Sequence, residues 1–295
     1  MALVINTNLL ANFASGSLNN IYNNLSKSVE RLSTGLRVNN ASNDSGALLL
    51  SEQLKSQMTG YKQGINNIQD GVSLLQTADG ALSQIDIDLT RMKELAEAAA
   101  TGTYDANDRL TMNSEFQEMG AEIDRLASST TFNSINLLDG SLSAHTSWTS
   151  SGGWVNPNNG VLIHFGNGIS RAKDYYYIAL PNMQTTRLFS NQSLSVSTSA
   201  AAQNAISYIN TAMIMKENAT GYVGALENRL DTTLGDLEMK YDTLENARSK
   251  ILDTDYATEI TDYLKNLVLA QSATAMLAQA NTLPQLALTL LKSSV

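Results

Sequence analysis

From Leu54 to Met92 the apolar residues keep to one spacing. Leu54, Met58, Tyr61, Ile65, Ile68, Val72 and Leu75, then Leu82, Ile85, Leu89 and Met92, follow one another in steps of four and three. A period near 3.5 gathers such residues into one narrow stripe along a helix, and the stripe must bury itself against another helix. The spacing also precedes this stretch, at Leu18, Tyr22, Leu25, Val29, Leu32 and Leu36, and follows it at Phe116, Met119, Ile123 and Leu126. Towards the far end it returns at Val223, Leu226, Leu230, Leu234, Leu237, Tyr241, Leu244 and Ile251, and a final helix carries Ile260, Leu264, Leu267 and Leu277. Pro157, Pro181 and Pro284 leave 1–156 and 182–283 free of proline, the residue that breaks helix interiors. The pattern predicts a mainly α chain: a long antiparallel helical coiled-coil rod made from both chain ends, with one helix over about 45–100. Breaks fall at VNNASNDSG after Gly35, at TGTYDAND (101–108) with an Asp or Asn helix cap, and at LDTDYATE, where Asp253 or Thr254 is placed to cap the last helix.

Between the arms the period changes. VLIHF (161–165) and DYYYIAL (174–180) are β-branched and aromatic runs, GNG between them supplies turn glycines, and SSGGWVNPNNG before them is loop chemistry. The middle is therefore expected to be a small β-rich segment where the chain reverses.

Charge separates the ends from the rest. Residues 1–26 and 266–291 contain no Asp, Glu, Lys or Arg, in a chain of 295 residues with a formal net charge of -9. Acidity argues against nucleic acid as a partner. The absence of cysteine excludes thiolate metal sites and Cys nucleophiles, and His145 and His164 are too few for a histidine-rich metal site. MALVINTNLLANF has no positive n-region of the kind a secretory signal peptide carries. The run 266–291 is long enough to span a bilayer, but Gln271, Gln279, Asn281, Pro284 and Gln285 interrupt it, and asparagines crowd the N-terminal run. Disordered tails are charged and poor in leucine, which these ends are not. Interface cores, in contrast, lose charge while keeping polar residues. Copies packed side by side in heterologous, non-closing contacts would bury both ends in a helical polymer. The competing class is a secreted membrane-active protein, such as a translocator, whose uncharged ends insert into lipid. Liposome flotation against salt-induced filament growth separates the two.

The residues also match a family. INTN, ERLSTGLRVNNASND, GVSLLQTADGALSQIDIDLTRMKELA, EIDRLASSTTFNSINLLDG, ARSKILDTDYATE and LAQANTLPQLALTLL resemble bacterial flagellin over roughly 1–140 and 220–295. A hook–filament junction protein is the alternative within the same family, and the ending AQANTLPQLALTLL favours the filament subunit. The resemblance implies a structural subunit, not an enzyme, which self-assembles into the flagellar filament for swimming motility. It implies inner filament-core helices at 1–44 and 254–295, a surrounding helical domain at 45–140 and 190–253, and a short surface-exposed β segment at 141–189 in place of large outer domains. It implies type III export to an extracellular flagellum, with termini that order on assembly. The implied partners are further copies of the chain, an export chaperone on the C-terminal helix, and filament-cap and hook-junction proteins. Neither a cofactor nor membrane insertion is implied. Subunit-interface candidates are Leu18, Leu25, Leu32, Leu264, Leu267, Leu277, Leu286 and Leu290.

LTRMKELAEAA resembles the stretch that the host's flagellin-sensing Toll-like receptor grips, with Arg91 and Leu95 at two contact positions and Glu115 at a third. The arginine usual at Met119 is missing, and exposed helix residues without a receptor role are the plain alternative. Ser42, Asn43 and Asp44 replace a Lys-Asp-Asp run, and the usual Leu-Leu-Arg ending becomes Leu290, Leu291 and Lys292.

Weaker signals have plain explanations. Asp86 and Asp88 resemble a metal-binding pair, but residues i and i+2 on a helix point about 200° apart, so both are expected on a solvated face. GNG (166–168) lacks the third glycine and the helix of a nucleotide loop and is expected to be a hairpin turn. HTSWTSS (145–151) offers Ser and Thr for surface O-glycans. No nucleophile with a base, paired carboxylates in a pocket or phosphate loop is found.

Overall fold

The computed structural model describes residues 7–142, 160–168, 170 and 173–293. The chain is mainly α, with long helices contributed by both ends and a small β segment in the middle. The helices are α1 (Leu9–Thr34), α2 (Ser45–Ala100), α3 (Ala106–Ser129), α4 (Thr185–Leu188), α5 (Ser199–Leu252) and α6 (Tyr256–Ser293). The strands are β1 (Thr131–Phe132), β2 (Ile135–Asn136), β3 (Val161–His164) and β4 (Tyr175–Ile178). The chain divides into two compact units: 1–56 with 243–295, and 57–242.

In the 57–242 unit, Ile68, Leu75, Leu82, Ile85, Leu89 and Met92 of α2 are buried against Val223, Leu226, Leu230 and Leu237 of α5 and Phe116 and Ile123 of α3. The four-three spacing read from the sequence is thus a packing seam. The two long helices run antiparallel, because Asp86 reaches Lys216 at 2.7 Å while a Cβ at Gly71 would lie 3.4 Å from Leu230 Cδ1. Asp105 and Asp108 form a capping box that starts α3. Asn133 and Ser134 adopt positive φ and join β1 to β2 in a two-residue turn.

β3 and β4 pair antiparallel, Val161 opposite Ile178 and His164 opposite Tyr175, so the two β runs and their GNG turn form the expected hairpin. The amides of Phe165 and Gly166 both donate to the Asp174 carbonyl at 2.8 and 2.9 Å and close the loop. The hairpin lies directly on α2. The side-chain amide of Asn67 donates to the His164 carbonyl at 2.6 Å, and a Cβ at Gly64 would fall 2.3 Å from the Phe165 carbonyl oxygen. A methyl group there has to displace backbone. Gly64→Ala is therefore expected to destabilise this unit by about 1–3 kcal/mol. Gly80→Ala, on the same helix with open space around it, should raise stability by up to about 1 kcal/mol. Urea midpoints of the two variants measure the difference.

In the other unit α1 pairs antiparallel with α6. The linkers at their inner ends are tied together by an isolated bridge between Leu36 and Asp253. The Arg37 amide donates to the Leu252 carbonyl at 2.6 Å, and the Thr254 amide to Gly35 at 2.9 Å. Gly35 ends α1 with φ +72°, a left-handed cap that suits glycine. Neither Asp253 nor Thr254 caps α6 as the sequence suggested: the Asp253 carboxylate accepts from the Ser249 hydroxyl at 2.6 Å, and the Thr254 hydroxyl is buried without a partner. Asp255 does. Its carboxylate accepts from the Thr258 hydroxyl at 2.9 Å and from the Ala257 amide at 3.0 Å, which holds the group below the usual carboxylate range. Ser42 and Asn43 fold into a local turn on the Asn40 side chain, and the Asp44 carboxylate accepts from the Ala47 amide at 2.9 Å, at the start of α2.

Candidate self-association surface

The α1–α6 seam is unusual in what it buries. On α6 Glu259, Tyr263, Asn266, Ala270, Ala273, Leu277, Ala280 and Pro284 are buried or half-buried in an unbroken four-three repeat, with Leu267 half-buried beside it. On α1 the corresponding positions are Ala11, Ala14, Leu18, Ile21, Leu25, Ser28 and Leu32, flanked by half-buried Ser17 and Arg31. Small and polar residues thus hold many of the inner positions. Many large apolar ones are left outside: Leu9, Leu10, Phe13, Tyr22 and Val29 on α1, and Tyr256, Ile260, Leu264, Val268, Leu269 and Met276 on α6 are all exposed, Phe13 by 79% and Met276 by 66%.

This corrects two sequence assignments. Tyr22 and Val29 were expected in the α1 seam, but Ile21 and Ser28 take those positions. Ile260 and Leu264 were expected to carry the α6 seam, but they face outward and Glu259 and Tyr263 lie inside. Two four-three stripes share Leu18, Leu25 and Leu32 on α1, and the more apolar of them is not the one that α6 covers.

Polar groups set the register. Asn8 caps α1, its Oδ1 accepting from the Ala11 amide at 3.1 Å, while its Nδ2 donates to the Ala280 carbonyl at 2.9 Å. Ala280 stands four residues before Pro284, which continues α6 without an N–H to offer. The asparagine thus supplies the hydrogen bond that proline cannot. At the other end Arg31 Nη1 meets Glu259 Oε2 at 3.4 Å, and the Tyr256 hydroxyl donates to the Leu32 carbonyl at 3.2 Å. Between Phe13, Leu10 and Ser17 of α1 and Met276, Ala273 and Gln279 of α6 lies an apolar hollow of about 300 Å³.

The interface candidates fall into three groups. Leu18, Leu25, Leu32, Leu267 and Leu277 are half-buried within the unit, and Leu264 is 52% exposed. The side chains of Leu286 and Leu290 lie outside the described residues. Sequence reasoning missed Leu9, Leu10, Phe13, Val268 and Met276; their signal was present in the same charge-free runs, off the chosen stripe.

In the 57–242 unit Arg91 and Glu115 come together as the sequence placed them. Arg91 Nη2 meets Glu115 Oε1 at 2.7 Å and Nη1 meets Glu94 at 3.0 Å. Leu95 does not join them on the surface. It is 6% exposed and belongs to the hydrophobic core. Met119 packs half-buried against that core. Asp86 and Asp88 do point apart: Asp86 keeps 41% of its side chain exposed while pairing with Lys216, whereas Asp88, expected on a solvated face, is buried. Among the described residues no group of three or more metal-ligating side chains is gathered, and no helix is long and apolar enough to cross a membrane. The segment 145–151, with its glycan candidates, lies outside the described residues.

A helical chain whose two ends pair and leave their large apolar side chains outward belongs to the class of self-associating structural proteins. The comparisons make the class specific. The family model for the bacterial flagellin N-terminal helical region matches residues 5–143, and that for the bacterial flagellin C-terminal helical region matches 206–291. The chain is 35% identical over 292 residues to a flagellar filament 33 kDa core protein of Treponema phagedenis, covering 98% of this chain and 100% of that one. It is 34% identical over 290 residues to a flagellin of Halalkalibacterium halodurans, again over 98% and 100% of the two chains. A solved structure from Vibrio parahaemolyticus, described as a flagellar hook-associated protein, shares the fold at a TM-score of 0.52 and 16% identity, covering 72% of this chain and 98% of that one. The chain belongs to the bacterial flagellin family.

Asn8→Ala removes the α1 cap and the donor to Ala280 together. The expected loss is about 1–2 kcal/mol of local stability, read as roughly tenfold faster hydrogen exchange at the Ala11 amide. Asn8→Asp, which keeps the cap acceptor and loses the donor, should fall between it and the wild type.

Proposed function

We propose that this chain is a structural subunit that packs with copies of itself into the helical flagellar filament, and that the outward faces of α1 and α6 form its inner subunit contact. The observation that carries this is the arrangement of the paired ends. Their seam takes alanines, serine, asparagine and glutamate, while Phe13, Leu264, Val268 and Met276 stay exposed on helices without charge over 1–26 and 266–291. Exposed apolar surface of this extent marks an interaction site, and a contact free of charge has no like-charge repulsion between identical copies. The resemblance of full-length relatives, one of them named a filament core protein, points the same way.

On this reading 1–44 and 254–295 are the inner filament-core segments, 45–140 and 190–253 the helical domain around them, and 141–189 the surface segment. The chain is exported to an extracellular flagellum. An export chaperone covers the apolar face of α6 before assembly, and cap and hook-junction proteins meet the same surfaces at the filament ends. Leu264→Asp with Val268→Asp puts charge on the outward face of α6 without touching the seam. This double variant, and a chain lacking 266–295, should form no filaments in electron micrographs after ammonium sulfate addition, while circular dichroism still reports the helices of the 57–242 unit. Filaments of normal diameter from either would refute the assignment.

A second reading concerns the monomer. Arg91, Glu94 and Glu115 form one exposed charged cluster, a surface on which the host Toll-like receptor could anchor, with Leu95 supporting it from the core. Arg91→Asp is expected to weaken binding of the monomer to the receptor ectodomain by about thirtyfold, roughly 2 kcal/mol. Equal affinities for variant and wild type would remove Arg91 as an anchor.

A further inference from the structure

Two carboxylate oxygens in the 57–242 unit, Asp88 Oδ2 and Glu227 Oε1, are buried with no hydrogen-bond partner. Asp88 is only 6% exposed. Each is influenced by another carboxylate. Asp88, on α2, feels Glu122 on α3. The one cation acting on it, Arg125, is engaged by Glu122 through two bonds of 2.7 and 2.5 Å, and Gln84 on its own helix supplies the only side-chain hydrogen bond. Glu227, on α5, feels Asp79 on α2. Asp79 and Asp88 are nine residues apart, on opposite sides of α2, so two seams of one helix each hold a carboxylate pair.

We propose that Asp88 and Glu227 are proton-uptake sites: on acidification each takes a proton onto its unpartnered buried oxygen before the exposed carboxylates do, and α2 then packs more firmly against α3 and α5. Burial first, and the neighbouring carboxylate second, push both groups above the usual carboxylate range. The sign follows from linkage. The folded unit binds more protons than the unfolded chain in this window, so stability falls as the pH rises through it and is gained on acidification. Glu122, Asp139 and Asp255 are shifted down and lose their stabilising contribution only at lower pH, below the ordinary carboxylate range. The two effects therefore occupy separate windows.

Thermal unfolding of the full chain, kept below the concentration at which it assembles, tests this. The wild type should melt higher just above the ordinary carboxylate range, at about pH 5, than at about pH 8. Asp88→Asn with Glu227→Gln should match the acid value at both. A wild-type midpoint that stays level or falls on acidification, or a double variant that keeps the wild-type slope, overturns the proposal. Carboxyl-carbon NMR titration of the wild type decides the case independently of any variant: midpoints above those of ordinary carboxylates support it, and midpoints at or below them refute it.

Discussion

Two helices at opposite ends of the chain are held in register by one side-chain amide. Asn8 closes the first turn of α1 and, from 272 residues away in sequence, bonds the carbonyl of Ala280 that Pro284 leaves without its helical partner. The first turn of α1 is capped locally by this side chain, whereas α6 lacks a donor in its interior until the same side chain supplies one. The bridge between Leu36 and Asp253 fixes the opposite end of the same pair. With both ends fixed, the register decides what the seam is built from: Leu18, Ile21, Leu25 and Leu32 together with Ser28 on α1, and Glu259, Tyr263, Ala270, Ala273, Leu277 and Ala280 on α6.

That register has a functional consequence. Rotated differently, Leu264 or Phe13 would be covered within the chain, as leucines are in an ordinary coiled coil. Here the apolar stripe that would serve for intramolecular burial remains on the surface, and the uncharged composition of both ends suits a surface that meets copies of itself. The 57–242 unit follows the opposite rule. Its stripe at Ile68, Leu75, Leu82, Ile85 and Leu89 is buried inside the unit, and its exposed large apolar residues are few and scattered, such as Ile87 and Ile214. One unit buries its apolar stripe, and the other leaves much of its own exposed.

The same contrast appears in how charges are used. Lys216 and Asp86, or Arg91 between Glu94 and Glu115, are paired as helix packing usually pairs them. Asp88 and Glu227 are not, and their unpartnered oxygens lie in the very seams that are otherwise the most completely apolar part of the molecule. A buried carboxylate beside another carboxylate weakens the packing it sits in for as long as both carry charge.

The sequence by itself determined the helices, their approximate ends, the hairpin and the family. Four-three spacing, proline placement and glycine punctuation are local signals, and α2 begins and ends where they put it. The two charge-free runs are likewise a property of composition, and they are where Leu9, Phe13, Val268 and Met276 are exposed. Tertiary structure alone decided which stripe of each run is covered. On α1 the stripes through Tyr22 and Val29 and through Ile21 and Ser28 both have helical spacing, and only the partner helix, set in register by Asn8 and Leu36, chooses between them. Leu95 shows the same limit. It stands four residues after Arg91, which spacing reads as a shared face, yet a helix packed on two sides by α3 and α5 has little outer face left, and a residue at its margin is buried by its neighbours.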